Sequence, residues 1–171
     1  MKSERKVVVV TGASRGIGAG LVEAFASRNY RIVATSRSVQ PSPRPELVTI
    51  AGDIGDPTTG PRVIEEALKR FGRIDTLINN AGIFVANRFT RYTAEDYARV
   101  VATNIGGFFF ITQAAIEAME RQGHGHIVNI TTTLVDPANS QVPSSWRRSQ
   151  KGGLTPRRGA WRSNMPRAAF A

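Results

Sequence analysis

A glycine-rich loop near the N-terminus constrains the fold more than any other feature of the sequence. The loop, Thr11–Gly18, reads Thr-Gly-Ala-Ser-Arg-Gly-Ile-Gly and follows Lys6–Val10, a run rich in β-branched residues that predicts a fully buried strand. A helical pattern begins at Ile17. Glycines at such a turn allow a tight bend, close approach of the backbone to a phosphate, and close packing of helix on strand. The alternative is a simple turn, but the order strand, loop, helix favours a dinucleotide site. Its expected cofactor-binding residues are Gly12, Ser14, Arg15, Gly16, Ile17 and Gly18.

Strand and helix patterns alternate along the first three quarters of the chain. Strands are predicted at 6–10, 30–36, 47–51, 75–78 and 126–130, and helices at 17–28, 61–71 and 93–119. Thr93 followed by Asp96 is typical of a helix start related to the capping box. The alternation predicts an α/β fold, a doubly wound parallel sheet of Rossmann type with three layers, incomplete at the C-terminus. The ligand is then expected at the carboxyl ends of the strands.

The residue after the second strand bears on the choice of cofactor. An acid there would accept hydrogen bonds from the ribose hydroxyls of NAD, whereas Arg37 suits the 2′-phosphate of NADP. Arg15 is a second candidate cation. The sequence therefore favours NADP(H) over NAD(H), and the alternative is that both arginines are solvated surface residues.

Five blocks in order resemble the short-chain dehydrogenase/reductase family. They are the glycine loop, Asp53 after the third strand, Asn79–Gly82 after the fourth, Asn104 within the long helix, and Gly125–Ile130 at the fifth strand. The resemblance implies that Asp53 contacts the adenine and that Asn79, Ala81 and Gly82 line the cofactor cleft and steady the central strands. It also implies that Asn104 holds a water in a proton relay, although a structural polar contact is an alternative.

The family's catalytic core is a Ser, a Tyr and a Lys four residues after the Tyr. By resemblance, Thr132 in a run of three threonines takes the place of the Ser, and Lys151 takes the place of the Lys. Arg147 stands where the Tyr is expected, and an arginine stays protonated and cannot act as the acid or base. The resemblance implies an NADP(H)-dependent oxidoreductase acting on a small carbonyl/alcohol pair. The alternative is a dinucleotide-binding fragment or pseudoenzyme without turnover.

The last part of the sequence differs in composition from the rest. We expect a Rossmann domain over residues 1–133 and an irregular basic tail over 134–171. Residues 1–145 hold 16 Lys and Arg against 13 Asp and Glu, whereas residues 146–171 hold 7 and none. Read one nucleotide earlier with permitted codons, residues 155–171 can encode an amphipathic helix and the start of a strand. A shifted reading frame is therefore one hypothesis for the tail, and a basic arm that binds nucleic acid is a less favoured one.

Other features limit the classes of protein and site. The chain has no cysteine, and its N-terminal apolar run is too short for a signal peptide or membrane span. A cytoplasmic protein without a membrane partner is expected, and a homo-oligomer is implied for intact relatives. His124 and His126 flank a glycine, but strand-edge structure is favoured over a metal pair, and no metal site is expected.

Overall fold

The computed structural model describes residues 5–131, which form a parallel sheet flanked by helices. The strands are β1 Val7–Thr11, β2 Arg31–Ser36, β3 Leu47–Ala51, β4 Thr76–Asn79 and β5 His126–Asn129. The helices are α1 Gly16–Ala26, α2 Thr59–Phe71, α3 Ala94–Val101 and α4 Gly107–Gln122, with a π-helical segment at Ala102–Gly106 between the last two. The strand order is β3-β2-β1-β4-β5, and all pairs are parallel. The prediction of a doubly wound, Rossmann-type sheet is confirmed.

The central strand β1 is buried along its whole length, as its apolar run predicts. Val9 pairs with Val33 of β2 on one side and with Leu77 of β4 on the other. Alternate side chains of β1 enter two separate cores. Val7 and Val9 pack with residues of α2 and α4, whereas Val8 and Val10 pack with residues of α1.

The long helix is continuous from 94 to 122 but changes its hydrogen-bond register in the middle. It begins with a complete capping box, in which the Thr93 hydroxyl accepts from the Asp96 N–H and the Asp96 carboxylate accepts from the Thr93 N–H. By length and composition alone, this helical run would suffice to cross a membrane. However, Val100, Ile111 and Met119 are buried against the rest of the domain, which is the arrangement of a core helix.

The amino-terminal edge of the sheet carries a cluster of polar groups bonded to one another. The Asp75 carboxylate accepts hydrogen bonds from the Val7 N–H (2.8 Å) and from Arg73 (2.6 and 2.9 Å). His124 Nε2 lies 3.2 Å from the same carboxylate and 2.9 Å from an Arg73 nitrogen. The Gln122 side chain accepts from the Ile74 N–H at 3.2 Å, which ties the end of α4 to the start of β4.

Burial and hydrogen bonding act in opposite directions on Asp75. Burial raises the pKa of its carboxyl, but the hydrogen bonds from Arg73 and Val7 and the charge of Arg73 outweigh burial, so the pKa lies below its ordinary value. The carboxylate therefore stays ionised and joins β1, β4 and the end of α4.

Candidate dinucleotide-binding site

A cleft of about 530 Å³ lies at the carboxyl ends of the strands. The glycine loop after β1 forms its floor, and the ends of β2, β3 and β4 contribute the segments 35–38, 52–54 and 80–83. Thr103 of the π-helical segment completes the wall. Parallel α/β sheets bind ligands at this place, where the strand order reverses on either side of β1.

A different physical reason explains the glycine at each of three loop positions, 12, 16 and 18. Gly12 has φ +65°, and a Cβ there would lie 2.8 Å from the Ala81 Cα. A Cβ on Gly18 would lie 2.2 Å from the Gly12 carbonyl oxygen, so α1 packs on the loop only with a glycine at this position. Gly16 has φ +57°, and a Cβ there would meet nothing within 4 Å, so its backbone is open towards the cleft.

Helix α1 begins at Gly16 with a terminus suited to an anion. Its first turn contains no acidic residue, and the Arg15 side chain makes no capping hydrogen bond. The first N–H groups of a helix lack intrahelical acceptors and lie at the positive end of its dipole. The open backbone at Gly16 and these N–H groups fit the pyrophosphate of a dinucleotide.

The ends of β1 and β4 are joined by a reciprocal hydrogen-bond network. The buried Thr11 hydroxyl accepts from the N–H groups of Asn80 (3.0 Å) and Ala81 (2.9 Å) and donates to the Ile78 carbonyl. The Asn80 amide donates in return to the carbonyls of Thr11 (2.9 Å) and Gly12 (3.2 Å). This network fixes the glycine loop relative to the loop after β4. Neither Thr11 nor Asn80 was assigned a role from sequence, although both lie inside the matched motifs.

The two arginines predicted to bind the cofactor both line the cleft. Arg15 and Arg37 are exposed, and so is Ser14. Asp53 is exposed in the opposite wall, where its carboxylate accepts from the Gly55 N–H at 2.9 Å. Ile17 also lines the cleft and is 64% exposed, so the first position of the helical pattern does not belong to the apolar face of α1.

The side chain of Asn79 is not among those that line the cleft, which is where the prediction places it. It is buried, and its amide donates to the Thr112 hydroxyl (2.9 Å) and to the Asn129 side chain (3.0 Å). It therefore joins β4, β5 and α4, in keeping with the predicted role of steadying central strands. The cleft is lined instead by Asn80, together with the predicted Ala81 and Gly82. Strand β4 ends at Asn79, so its side chain still follows the alternation of the sheet.

Asn104 is buried in the π-helical segment, and its amide forms two hydrogen bonds with the backbone of Ile83. Its Oδ1 accepts from the Ile83 N–H at 2.8 Å, and its Nδ2 donates to the Ile83 carbonyl at 3.0 Å. This pair fixes the cleft-lining loop after β4 to the long helix. The predicted proton-relay role of Asn104 stays a prediction.

The other two predicted catalytic residues, Thr132 and Lys151, lie outside the described residues, as does Arg147. Within residues 5–131, no group of three or more His, Asp and Glu side chains is placed to hold a metal ion. His124 belongs to the Asp75 cluster, and His126 is exposed at the start of β5.

This architecture and cleft define a nucleotide-binding α/β domain of Rossmann type. Residues 6–143 match the family model of the short chain dehydrogenases, and the chain belongs to that family. It is 33% identical over 140 residues to the 3-oxoacyl-[acyl-carrier-protein] reductase FabG of Escherichia coli. That alignment covers 78% of this chain and 57% of the reductase. A sorbitol dehydrogenase of Cereibacter sphaeroides is 32% identical over 139 residues, which cover 77% of this chain and 54% of that enzyme.

Solved structures show the same likeness. The short-chain dehydrogenase/reductase of Serratia marcescens superposes with a TM-score of 0.78 at 28% identity, covering 87% of this chain and 67% of that one. ElxO with NADP bound gives 0.79 at 28% identity, covering 88% and 64%. The chain spans a little more than half the length of the curated relatives named here. The prediction of the family is confirmed.

Proposed function

We propose that this chain binds NADP(H) and serves as an oxidoreductase that transfers hydride between the nicotinamide and a small carbonyl/alcohol substrate. The observation that carries the proposal is the open, acid-free N-terminus of α1 in a cleft also lined by Arg15 and Arg37. Membership of a dehydrogenase family supports the reaction class. When bound, the nicotinamide supplies or accepts the hydride.

The order of the strands supports one orientation of the dinucleotide in the cleft. The segment after β2 meets the adenosine ribose in folds of this type, so the 35–38 and 52–54 segments take the adenosine half. The loop 80–83 follows β4, which lies on the opposite side of β1 from β2, and this loop takes the nicotinamide half. In this orientation we expect Arg37 beside the 2′-hydroxyl, where the phosphate that distinguishes NADP from NAD is attached. A guanidinium binds phosphate through two parallel hydrogen bonds, which favours NADP(H).

The binding test compares NADPH with NADH by isothermal titration calorimetry. We expect Arg37→Ala to weaken NADPH binding about ten- to a hundredfold, because charged hydrogen bonds to the 2′-phosphate are lost. NADH affinity should change little, since NADH lacks that phosphate. Arg15→Ala should also lower NADPH affinity.

A surface arginine provides the matched control. Arg70 is exposed in the last turn of α2, outside the cleft. Arg70→Ala should leave both affinities unchanged. Equal losses of NADPH and NADH affinity in Arg37→Ala, or an unaltered NADPH affinity, would refute the proposed role of Arg37. Absence of binding of either cofactor to the folded parent protein would refute the function.

The second candidate function is cofactor binding without turnover. It is favoured by one sequence observation, Arg147 at the position where the family's proton-transferring Tyr is expected. The two functions are separated by following NADPH absorbance with a panel of small ketones and aldehydes. Oxidation of NADPH that depends on substrate supports the oxidoreductase, whereas binding with no oxidation across the panel supports the second candidate.

A further inference from the structure

The backbone of the long helix packs closely against the backbone of Ile54, at the adenosine half of the cleft. Helix α4 begins at Gly107, directly after the π-helical segment. A Cβ at Gly107 would lie 2.8 Å from Ile54 Cγ2 and 2.9 Å from the Ile54 carbonyl oxygen. Real Cβ atoms do not approach other atoms so closely, and the carbonyl belongs to backbone that cannot rotate away. Helix α4 therefore reaches this position only because residue 107 has no side chain.

The residue that Gly107 contacts belongs to the cleft wall. Ile54 is 8% exposed and lines the cleft next to Asp53. The turn that follows is held by two hydrogen bonds to Asp53, from the Gly55 N–H to its carboxylate and from the Asp56 N–H to its carbonyl. A displacement of Ile54 is therefore transmitted to Asp53, so the wall moves as a unit.

A second glycine on the same turn repeats the close approach more mildly. A Cβ at Gly55 would lie 3.3 Å from the Ala102 carbonyl carbon and 3.3 Å from the Thr103 nitrogen. Thr103 itself lines the cleft. Gly55 on the turn and Gly107 on the helix thus set the spacing between the long helix and the 52–54 segment, which we call the adenosine wall.

We propose that Gly107 is a positioning residue for the cofactor, which sets the adenosine wall of the cleft through its contact with Ile54. This inference rests on the proposed function, since it concerns the same cleft. A methyl group at position 107 pushes Ile54 and Asp53 towards the cleft or shifts α4 away from the wall. Either movement makes the wall fit the bound adenosine less well.

The chain offers two matched glycines for comparison. Gly106 is adjacent to Gly107, but the nearest atom to a Cβ there would be 3.7 Å away, so alanine fits. Gly60 in α2 is as tightly packed as Gly107, with a Cβ position 2.7 Å from the Ile111 nitrogen of α4, but neither residue lines the cleft. Gly106 thus controls for the substitution itself. Gly60 controls for a steric clash between two helices that involves no cleft-lining residue.

The experiment measures the affinity of each alanine variant for adenosine 2′,5′-bisphosphate and NADPH by calorimetry, and the melting temperature by circular dichroism. Gly107→Ala should weaken both ligands by about tenfold, the cost of a typical overpacked contact. Gly55→Ala should weaken them less, and Gly106→Ala should match the parent. Gly60→Ala should lower the melting temperature and leave the affinities of the folded protein unchanged, which separates positioning from stability.

The outcomes distinguish this inference from the proposed function. If the parent binds and Gly107→Ala binds equally well, or if Gly106→Ala or Gly60→Ala loses as much affinity as Gly107→Ala, the positioning role is wrong and the function stands. If the folded parent binds neither ligand, the function and this inference are both wrong. If Gly107→Ala does not fold, Gly55→Ala decides, and unchanged affinity there overturns the proposal.

Discussion

The two edges of the sheet use polar residues in opposite ways. At the amino-terminal edge, Asp75, Arg73, His124 and Gln122 bond to one another and to the first residues of the strands. At the carboxyl edge, exposed arginines and the first N–H groups of α1 face a cleft. The difference indicates that one edge stabilises the sheet while the other is arranged for a ligand that brings negative charge. Substitutions at the first edge should therefore alter stability alone, and those at the second should alter binding.

The largest expected effect is at the amino-terminal edge. Asp75→Ala should lower the free energy of unfolding by about 3 kcal/mol, because it leaves the buried Val7 N–H without its acceptor and removes the ion pair with Arg73. Urea denaturation measures this loss, and calorimetry on the folded variant should show unchanged NADPH affinity. Glu120→Ala, an exposed acid near the same edge, should change neither quantity. A loss of NADPH affinity in folded Asp75→Ala would break the division between the two edges.

A smaller effect, on both stability and NADPH binding, is expected where the central strands meet the cleft. Thr11→Val keeps the shape of the side chain but removes the acceptor for the Asn80 and Ala81 N–H groups. We expect about 2 kcal/mol lower stability in urea and weaker NADPH binding, because the loop 80–83 loses its anchor. The control is Thr49→Val in β3, whose hydroxyl is not part of this network. Unchanged binding in Thr11→Val would show that the network serves the sheet alone.

The smallest effect is the response of stability to acid. The pKa of Asp75 is lower in the folded protein than in the unfolded chain, so its ionisation stabilises the fold fully above the unfolded value of about 3.9. This contribution is lost as the pH falls through the lower, folded pKa. When urea unfolding of the parent is measured from pH 6 to pH 2.5, the urea concentration at the midpoint should therefore decrease once the pH is below about 4. The fall should be shallower in Asp75→Asn, and a parallel fall in both proteins would remove Asp75 as the cause.

The sequence predicts the fold because its signals are local. The apolar run of β1, the glycine loop and the capping box at Thr93 each depend on neighbours within a few residues, and all three are present in the structure. The crossing order of the strands then follows from general rules of parallel sheets.

Features that depend on tertiary contacts were not predicted. The π-helical segment surrounds Asn104, whose amide bonds the backbone of Ile83, 21 positions earlier. Of the adjacent Asn79 and Asn80, only Asn79 is predicted from sequence to line the cleft. The end of β4 directs the Asn79 side chain into the sheet and the Asn80 side chain towards β1. The contact of Gly107 with Ile54 has no signal in one sequence, since a glycine in a helix gives no indication of what it approaches.

Hydrogen–deuterium exchange with and without NADPH tests the central claim most directly, because it reports on both edges in one experiment. The account predicts slower exchange on ligand addition at backbone amides of the glycine loop 12–18 and of the segments 35–38, 52–54 and 80–83. It predicts unchanged exchange at 73–75 and 122–126. Protection at the amino-terminal edge, or none at the glycine loop with NADPH present in saturating amount, would contradict it.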